Sequence, residues 1–240
     1  MRWQAVLMSI AVLTCGSTCW ADLWDRGGGM IYDDDQNITW LQNCNYAYAS
    51  GYINTITTDY GDGRMNWDQA VAWADQLAYG GYDDWRLPHC VQPDPSGTVQ
   101  IPTGSSGYNC IASEMPYMFY VNLGGQAATS MVFHHNADYA LFPSLDALIK
   151  ATGHGGFWTG TECISGRPDF AYDFYFNNGA QYSDDKAVNL FAWAVRDGDV
   201  VPIPAPSAIL LGVLGLSTAG WRLRRERGVS RAGISLGDVR

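Results

Sequence analysis

The stretch Phe170-Ala171-Tyr172-Asp173-Phe174-Tyr175-Phe176 decides the fold of this chain, because it is rich in aromatic residues and ends at the turn signal Asn177-Asn178-Gly179. Aromatic residues favour strands, and Asn-Gly pairs are typical of tight turns between strands. Similar aromatic runs at residues 157–161 and 190–196 predict two more strands. The late part of the chain is therefore predicted to complete a sheet.

Earlier segments predict both strands and helices. Three short apolar runs predict strands, at residues 23–24, 30–32 and 38–41. A helix is predicted from Asn66 to about Tyr79, because apolar residues recur there at helical spacing before Gly80-Gly81. A second helix is predicted over 113–124, whereas 125–156 predicts no element. The expected class is α+β, a single domain with two helices and a short-stranded antiparallel sheet.

The N-terminus has the pattern of a secretory signal peptide. Met1-Arg2 gives a small basic region, an apolar stretch follows over residues 5–13, and Cys19-Trp20-Ala21 offers a small-x-small cleavage site. Residues 1–21 are therefore predicted to be removed on export.

The C-terminus carries a second targeting pattern. Residues 200–207 form a proline-rich linker, 208–221 are predicted to form a transmembrane helix, and 222–240 a basic tail that stays cytoplasmic. The whole tail resembles a PEP-CTERM sorting signal, with Val201, Pro202, Pro204 and Ala205 as its motif. This resemblance implies an exosortase-type processing enzyme as partner, transient anchoring in the inner membrane, and a final place at the cell surface or outside the cell.

The charge of the predicted mature segment restricts the classes of partner that it can bind. Residues 22–206 hold seven Lys and Arg against twenty-two Asp and Glu, a net charge of −15. Nucleic acid is thus an improbable partner. Such acidity suits solubility outside the cell, cation binding or a neutral polysaccharide.

Four cysteines remain after removal of the signal peptide, an even number for an oxidising compartment. Two disulfides are predicted, and four cysteines allow three connectivities. Cys90 with Cys110 is favoured because these residues bracket a loop rich in Pro, Gly and Ser, which leaves Cys44 with Cys163. Zinc is the less favoured alternative, since the chain has no Cys-x-x-Cys motif.

Four motifs in order carry a resemblance to a known family. They are Trp67-Asp68-Gln69-Ala70, Gly81-Tyr82-Asp83-Asp84-Trp85-Arg86-Leu87-Pro88, Phe157-Trp158-Thr159-Gly160-Thr161-Glu162 and Phe191-Ala192-Trp193-Ala194-Val195-Arg196. Residues 22–199 resemble the Lcl C-terminal domain family. The resemblance implies a C-type-lectin-like fold, related also to formylglycine-generating enzymes, and a surface or secreted binding domain; its namesake binds sulfated glycans and mediates adhesion.

Candidate ligand residues lie around the last strands, where C-type-lectin-like domains place their ligands. They are Trp158, Glu162, Asp173, Asn177, Asn178, Asp184 and Asp185. No cofactor is predicted, although the oxygen ligands in this set make calcium possible. Asp33, Asp35 and Asn37 are a weaker metal candidate: they alternate like the start of a calcium loop, but a solvated hairpin turn is favoured because the later glycine and glutamate are absent.

The predicted function is a non-catalytic binding module that engages extracellular polysaccharide, matrix or a surface protein. No catalytic motif accompanies the histidines, so the chain is not predicted to be an enzyme. The alternative is a matrix polysaccharide hydrolase that uses a carboxylate pair. Arg86 is predicted to pair with a carboxylate such as Asp84 or Asp173, and Trp67, Trp73, Trp85 and Trp193 to pack in the core.

Overall fold

The computed structural model describes residues 23–101, 104–163 and 166–201. Its strands are β1 (Leu23–Gly27), β2 (Met30–Asp33), β3 (Ile38–Leu41), β4 (Val99–Ile101), β5 (Gly104–Ser106), β6 (Gly156–Glu162), β7 (Phe170–Tyr175), β8 (Ala180–Asp185) and β9 (Val195–Asp197). Its α-helices are α1 (Tyr46–Ala49), α2 (Trp67–Asp75), α3 (Glu114–Tyr117) and α4 (Pro143–Thr152). Tyr52–Thr55 and Ala137–Leu141 form 3-10 helices, and Met118–Asn122 forms a π-helix.

The described strands form three antiparallel sheets. One has the order β1-β2-β3-β9, the second is the β4–β5 hairpin, and the third has the order β6-β7-β8. β9 closes the first sheet by pairing Val195 with Trp40, so the end of the folded chain returns to its beginning. Mixed helices and antiparallel sheets agree with the predicted α+β class.

Helix α2 begins where the sequence predicts. The Asn66 side chain accepts from the Gln69 backbone N–H, and the Gln69 side chain accepts from the Asn66 backbone N–H, which is a complete capping box. The helix ends at Asp75 rather than near Tyr79, because Tyr79 turns away to form an isolated bridge with Tyr82.

The later helical segments differ from the prediction. The expected helix over 113–124 starts at Glu114 but passes into the π-helix after one turn. Helix α4 lies in the stretch for which no element was predicted. Pro143 occupies its first turn, and Gly153 ends it in the left-handed conformation that favours glycine.

The core is built on Trp193. Its ring centroid lies 4.8 Å from that of Trp40 and 5.3 Å from that of Phe142, and its indole N–H donates to the Leu41 carbonyl at 2.6 Å. Burial also confirms the packing role predicted for other tryptophans, namely Trp67, Trp73 and Trp85. The aromatic residues of the four motifs therefore serve the fold.

Arg86 binds other carboxylates than those predicted. Its two terminal nitrogens donate to the Glu114 carboxylate at 2.8 Å each, and it also forms a salt bridge with Asp197. Asp84 instead binds Arg196 at 2.8 Å. The reason is that the Arg86 backbone pairs with Val195, which places its side chain between α3 and β9 rather than near Asp173.

The fold prediction is corrected at one point, because the transmembrane helix that it includes is not seen among the described residues. In the described part of the chain no helix is long and apolar enough to cross a membrane. The longest described helix, α4, has 10 residues and spans about 15 Å, half of the hydrocarbon core of a bilayer. The segment 208–221 lies outside the described residues, as do 1–21, 222–240 and the motif residues Pro202, Pro204 and Ala205. Val201 is described and exposed.

The predicted disulfides are not formed, since Cys44, Cys90, Cys110 and Cys163 are all free. Cys44 is buried against Ser144, whose hydroxyl donates to its sulfur at 3.5 Å. Cys90 accepts from Gln92 at 3.0 Å. Burial raises the pKa of Cys44, Cys90 and Cys110 to about 12, which keeps these thiols protonated at neutral pH.

Candidate functional site

The β7–β8 hairpin carries a group of carboxyl and tyrosine side chains on one face of its sheet. Asp173 pairs with Tyr182 in register, and residues directly opposite each other in an antiparallel pair share one face of the sheet. Because alternate residues along a strand share a face, Tyr175 and Asp184 lie on that same side. Asp173, Tyr175, Tyr182 and Asp184 are called the carboxyl face below.

Asp173 is the most unusual residue of the carboxyl face. It is completely buried, and neither of its oxygens takes part in a hydrogen bond of good geometry, although Asp184 and Tyr175 lie beside it. Burial raises the pKa of Asp173 well above its usual value, and the neighbouring Asp184 carboxylate raises it further. Asp173 therefore favours the protonated form.

Tyr175 connects this carboxyl pair to the surface. Its hydroxyl donates to Asp184 Oδ2 at 3.1 Å. Burial raises the pKa of Tyr175, and the charges of Asp173 and Asp184 raise it further, so the hydroxyl keeps its proton. No salt bridge to Asp173 or Asp184 is formed within 23–101, 104–163 and 166–201.

Next to Tyr175 the surface opens into a cavity of about 430 Å³, called the Tyr175 pocket. Its lining residues are Asp59, Tyr60, Arg64, His154, Gly156, Tyr175, Val188, Asn189, Leu190 and Phe191. The two distant segments that form it are held together because Met65 and Leu190 exchange both backbone hydrogen bonds, at 2.9 and 3.0 Å.

The floor of the Tyr175 pocket is apolar and depends on a glycine. Leu190 and Phe191 are buried there. A Cβ at position 156 would lie 2.7 Å from Cε1 of Tyr175 and 3.1 Å from Cδ2 of Leu190, closer than normal packing allows. Gly156 thus lets the Tyr175 ring close the inner wall.

The outer wall of the Tyr175 pocket is formed by the Tyr60 ring and by Arg64, whose charge is neutralised by a carboxylate. The Arg64 guanidinium lies 3.7 Å from the centre of the Tyr60 ring and forms a salt bridge with Asp62 at 2.8 Å. Arg64 covers one face of the Tyr60 ring, and Tyr60 as a whole is 43 % exposed. Asp59 is exposed at the rim, where the Asn189 amide donates to it at 3.4 Å.

Trp158 was predicted to contact ligand and does not reach the surface. It is fully buried, and its indole N–H donates to the Met65 carbonyl at 3.0 Å. This hydrogen bond links β6 to the segment before α2, so Trp158 is a core residue. The prediction for this residue is wrong.

The other predicted ligand residues do not form one cluster. Glu162 and Asp185 lie at one end of the third sheet, where Glu162 binds Lys186 at 3.3 Å. Asn177 and Asn178 lie at the opposite end, in the turn between β7 and β8. Only Asp173 and Asp184 are brought together, on the carboxyl face described above.

Each of the three residues predicted to bind a metal ion is hydrogen-bonded to a different protein residue. Asp33 is buried and accepts from the Gln36 backbone and side chain, and Asp35 accepts from the Tyr117 hydroxyl at 2.9 Å. Asn37 has a positive φ of 51° and accepts from the Tyr32 hydroxyl at 3.0 Å. The arrangement is that of the hairpin turn between β2 and β3. Among all described residues no group of three or more His, Cys, Asp or Glu is placed to hold a metal ion.

Most residues of the Tyr175 pocket are not among the ligand residues predicted from the sequence. Tyr175 could have been found, because it lies two residues after Asp173 in a predicted strand and so shares its face. Tyr60, Arg64 and Asn189 gave no such signal, because they belong to two segments that are distant in the chain. Asp59 and Asn189, which meet at the rim, are 130 residues apart.

A second cavity, called the Phe133 groove, shares no lining residue with the Tyr175 pocket, although its residue Gly153 adjoins His154 of the pocket in the chain. It has a volume of about 480 Å³ and is lined by Ser130, Val132, Phe133, Ile149, Lys150, Gly153 and Asn177. Phe133 is 83 % exposed there. The groove contains fewer hydrogen-bonding side chains than the Tyr175 pocket, so it offers a contrast in chemistry.

Comparison with known proteins gives no match. No family model matches the chain, and no curated protein or solved structure shows significant similarity to it. The predicted C-type-lectin-like fold thus finds no support among solved structures, and the function has to be argued from the geometry of the site.

Proposed function

We propose that this chain is an exported, non-catalytic binding module that engages extracellular polysaccharide through the Tyr175 pocket. The observation that carries the proposal is the combination of an accessible Tyr60 ring, an apolar floor and a polar rim in one open cavity. Its volume of about 430 Å³ falls within the range of about 300–1,000 Å³ that is usual for small-ligand sites.

This combination suits a sugar ring. The exposed face of a tyrosine is flat and apolar, and it can pack against the C–H groups of a sugar while its surroundings stay wet. Asp59, His154 and Asn189 supply hydrogen-bonding groups around the same cavity for the sugar hydroxyls. Apolar packing would then give affinity, and the polar rim would give orientation.

The charges of the domain favour neutral over anionic polysaccharides as ligands. Six of the seven Lys and Arg in the described part of the chain form salt bridges, and Arg167 stacks on Phe170 at 3.4 Å. A polyanion would therefore meet few cations that are not already neutralised. Sulfated glycans, which the family resemblance suggests, are disfavoured here.

Export and surface location rest on the sequence alone. The signal-peptide pattern of residues 1–21 and the motif Val201-Pro202-Ile203-Pro204-Ala205 support export and processing by an exosortase-type enzyme. The Lcl resemblance, carried by its four motifs, supports a binding role at the surface, where adhesion to matrix or to a surface protein would follow.

The carboxyl pair favours a hydrolase as the second candidate. Asp173 and Asp184 lie side by side, and the raised pKa of Asp173 is the kind of difference that separates an acid from a base. However, Asp173 is buried and does not line the Tyr175 pocket. Release of reducing ends from matrix polysaccharide by the purified protein, abolished in Asp184→Asn, would favour the hydrolase over the binding module.

A glycan array and a pull-down with isolated matrix test the proposal, each with and without EDTA. Retention is expected for the wild type and lost in Tyr60→Ala, which removes the accessible ring. Tyr48→Ala is the matched control, because Tyr48 is also exposed, at 54 %, but lies outside the pocket. The proposal fails if no glycan or matrix fraction is retained, or if the two variants behave alike.

A further inference from the structure

We propose that the Tyr175 pocket selects sugars that carry a protonated amine, with Asp59 as the countercharge. This inference rests on the proposed saccharide-binding function and names the class of ligand. An amino sugar would pack its ring on Tyr60 and direct its ammonium group to the Asp59 carboxylate.

Asp59 is the acidic group of the pocket that can still receive a cation. It is exposed on the rim, and no salt bridge involves it within the described residues. Its hydrogen bond with the Asn189 amide is long, at 3.4 Å, and a neutral amide leaves the negative charge uncompensated.

Arg64 does not offset this charge, because it already has an anionic partner. Its side-chain contacts with Asp62, from Nε at 3.2 and 3.0 Å and from Nη2 at 2.8 Å, are charge-assisted. Its guanidinium also stacks on Tyr60, and its side chain is only 15 % exposed. A carboxylated or sulfated sugar would have to displace Asp62, whereas an ammonium group would not.

The field of the whole domain acts in the same direction. Residues 22–206 carry a net charge of −15, which attracts a cationic ligand and repels an anionic one. This attraction is screened over about 10 Å at 0.1 M salt. Added salt should therefore weaken the long-range part of the preference and leave the local contact with Asp59 less affected.

The test compares two oligosaccharides that differ only in acetylation. The intact purified protein is titrated calorimetrically with the hexamer of glucosamine and with the hexamer of N-acetylglucosamine, at a mildly acidic pH where the sugar amines are protonated. The glucosamine hexamer is expected to bind more tightly. Asp59→Asn should reduce its affinity about two- to fivefold, as expected for an exposed ion pair, and should leave the acetylated hexamer unaffected.

Asp83→Asn is the matched control for net charge. Asp83 is exposed and lies outside the Tyr175 pocket, so its loss changes the overall charge by the same amount. The glucosamine preference should survive in this variant. Equal losses in Asp59→Asn and Asp83→Asn would overturn the inference, because they would trace the preference to total charge rather than to the site.

The remaining outcomes distinguish this inference from the proposed function. Equal or tighter binding of the acetylated hexamer, or binding of a different neutral glycan alone, would overturn amine selection and leave the saccharide-binding function in place. Failure to bind either hexamer or any glycan of the array would overturn both. Unchanged urea unfolding of Asp59→Asn would show that a loss of binding is not a loss of fold.

Discussion

The two faces of the β6-β7-β8 sheet use the same strands for different purposes. On one face Phe174 packs among aromatic rings, with centroid distances of 5.5 Å to Phe119 and 5.1 Å to Phe176. On the other face lie its neighbours Asp173, which is a buried carboxyl, and Tyr175, which lines the Tyr175 pocket. Strand β7 therefore stabilises the domain with alternate residues and forms the site with those between.

The two faces also differ in their effect on the stability of the fold. Edge-to-face aromatic pairs add stability beyond the area that they bury. A buried carboxyl without a good hydrogen-bond partner opposes folding whenever it is charged. Residues that reduce stability in this way are often retained for function, so the carboxyl face is where a change should separate stability from binding.

The largest effect is expected on the aromatic face. Phe174→Ala should lower the free energy of unfolding by about 3–5 kcal/mol, because it removes a fully buried ring and leaves a cavity. Urea denaturation measures this change. Phe174→Leu, which keeps most of the volume, should cost clearly less; equal losses in the two variants would show that the ring is not close-packed.

A gain in stability is expected on the carboxyl face. Asp173→Asn should raise the free energy of unfolding by about 1–3 kcal/mol at neutral pH, since it removes a buried group that cannot ionise without penalty. Asp185→Asn is the matched control, because Asp185 is exposed on the same hairpin and its contact with the Ala187 N–H survives as an amide. A loss of stability in Asp173→Asn would mean that the charge has a partner.

The same residue predicts a pH dependence of stability. Because the pKa of Asp173 is raised in the folded state, its contribution is complete below the unfolded value near 3.8 and is lost as the pH rises towards the folded value. Unfolding of the wild type measured across this range should show the loss, and Asp173→Asn should remove it. Identical pH profiles for the two proteins would contradict the raised pKa.

The smallest effect is expected for Tyr175→Phe. It deletes the hydrogen bond to Asp184 and keeps the ring that lines the pocket, so the free energy of unfolding should fall by about 0.5–1.5 kcal/mol. Retention on glycans should change less than in Tyr60→Ala. A complete loss of retention would instead assign ligand contact to the Tyr175 hydroxyl.

Local patterns in the sequence were sufficient for β1, β2, β3, β6, β7 and the start of α2, whereas no strand was predicted at β4, β5 or β8. Alternating or aromatic runs identified β2, β3 and β7, and the Asn66–Gln69 capping box marks a helix start at close range. Helix α4 was missed although Leu145, Leu148 and Ile149 have helical spacing, because loop-like residues surround this short segment.

Long-range contacts explain what local patterns could not show. The pocket requires Met65 and Leu190 to pair, and the indole N–H of the buried Trp158 has its acceptor in the distant Met65. Cysteine number was equally misleading: an even count in a chain predicted to be exported predicts disulfides, yet Cys44, Cys90, Cys110 and Cys163 are free, and Cys44 has its own partner in Ser144.

An NMR titration of the isotope-labelled intact protein with each of the two hexamers shows directly whether saccharide binds at the Tyr175 pocket. A saccharide site at the Tyr175 pocket predicts shift changes at the backbone amides of Tyr60, His154 and Asn189 on addition of saccharide, with none at Phe133 and Val132 of the Phe133 groove. Changes confined to Phe133 and Val132 would contradict a saccharide site at the Tyr175 pocket, as would the absence of changes with both hexamers and with every glycan of the array.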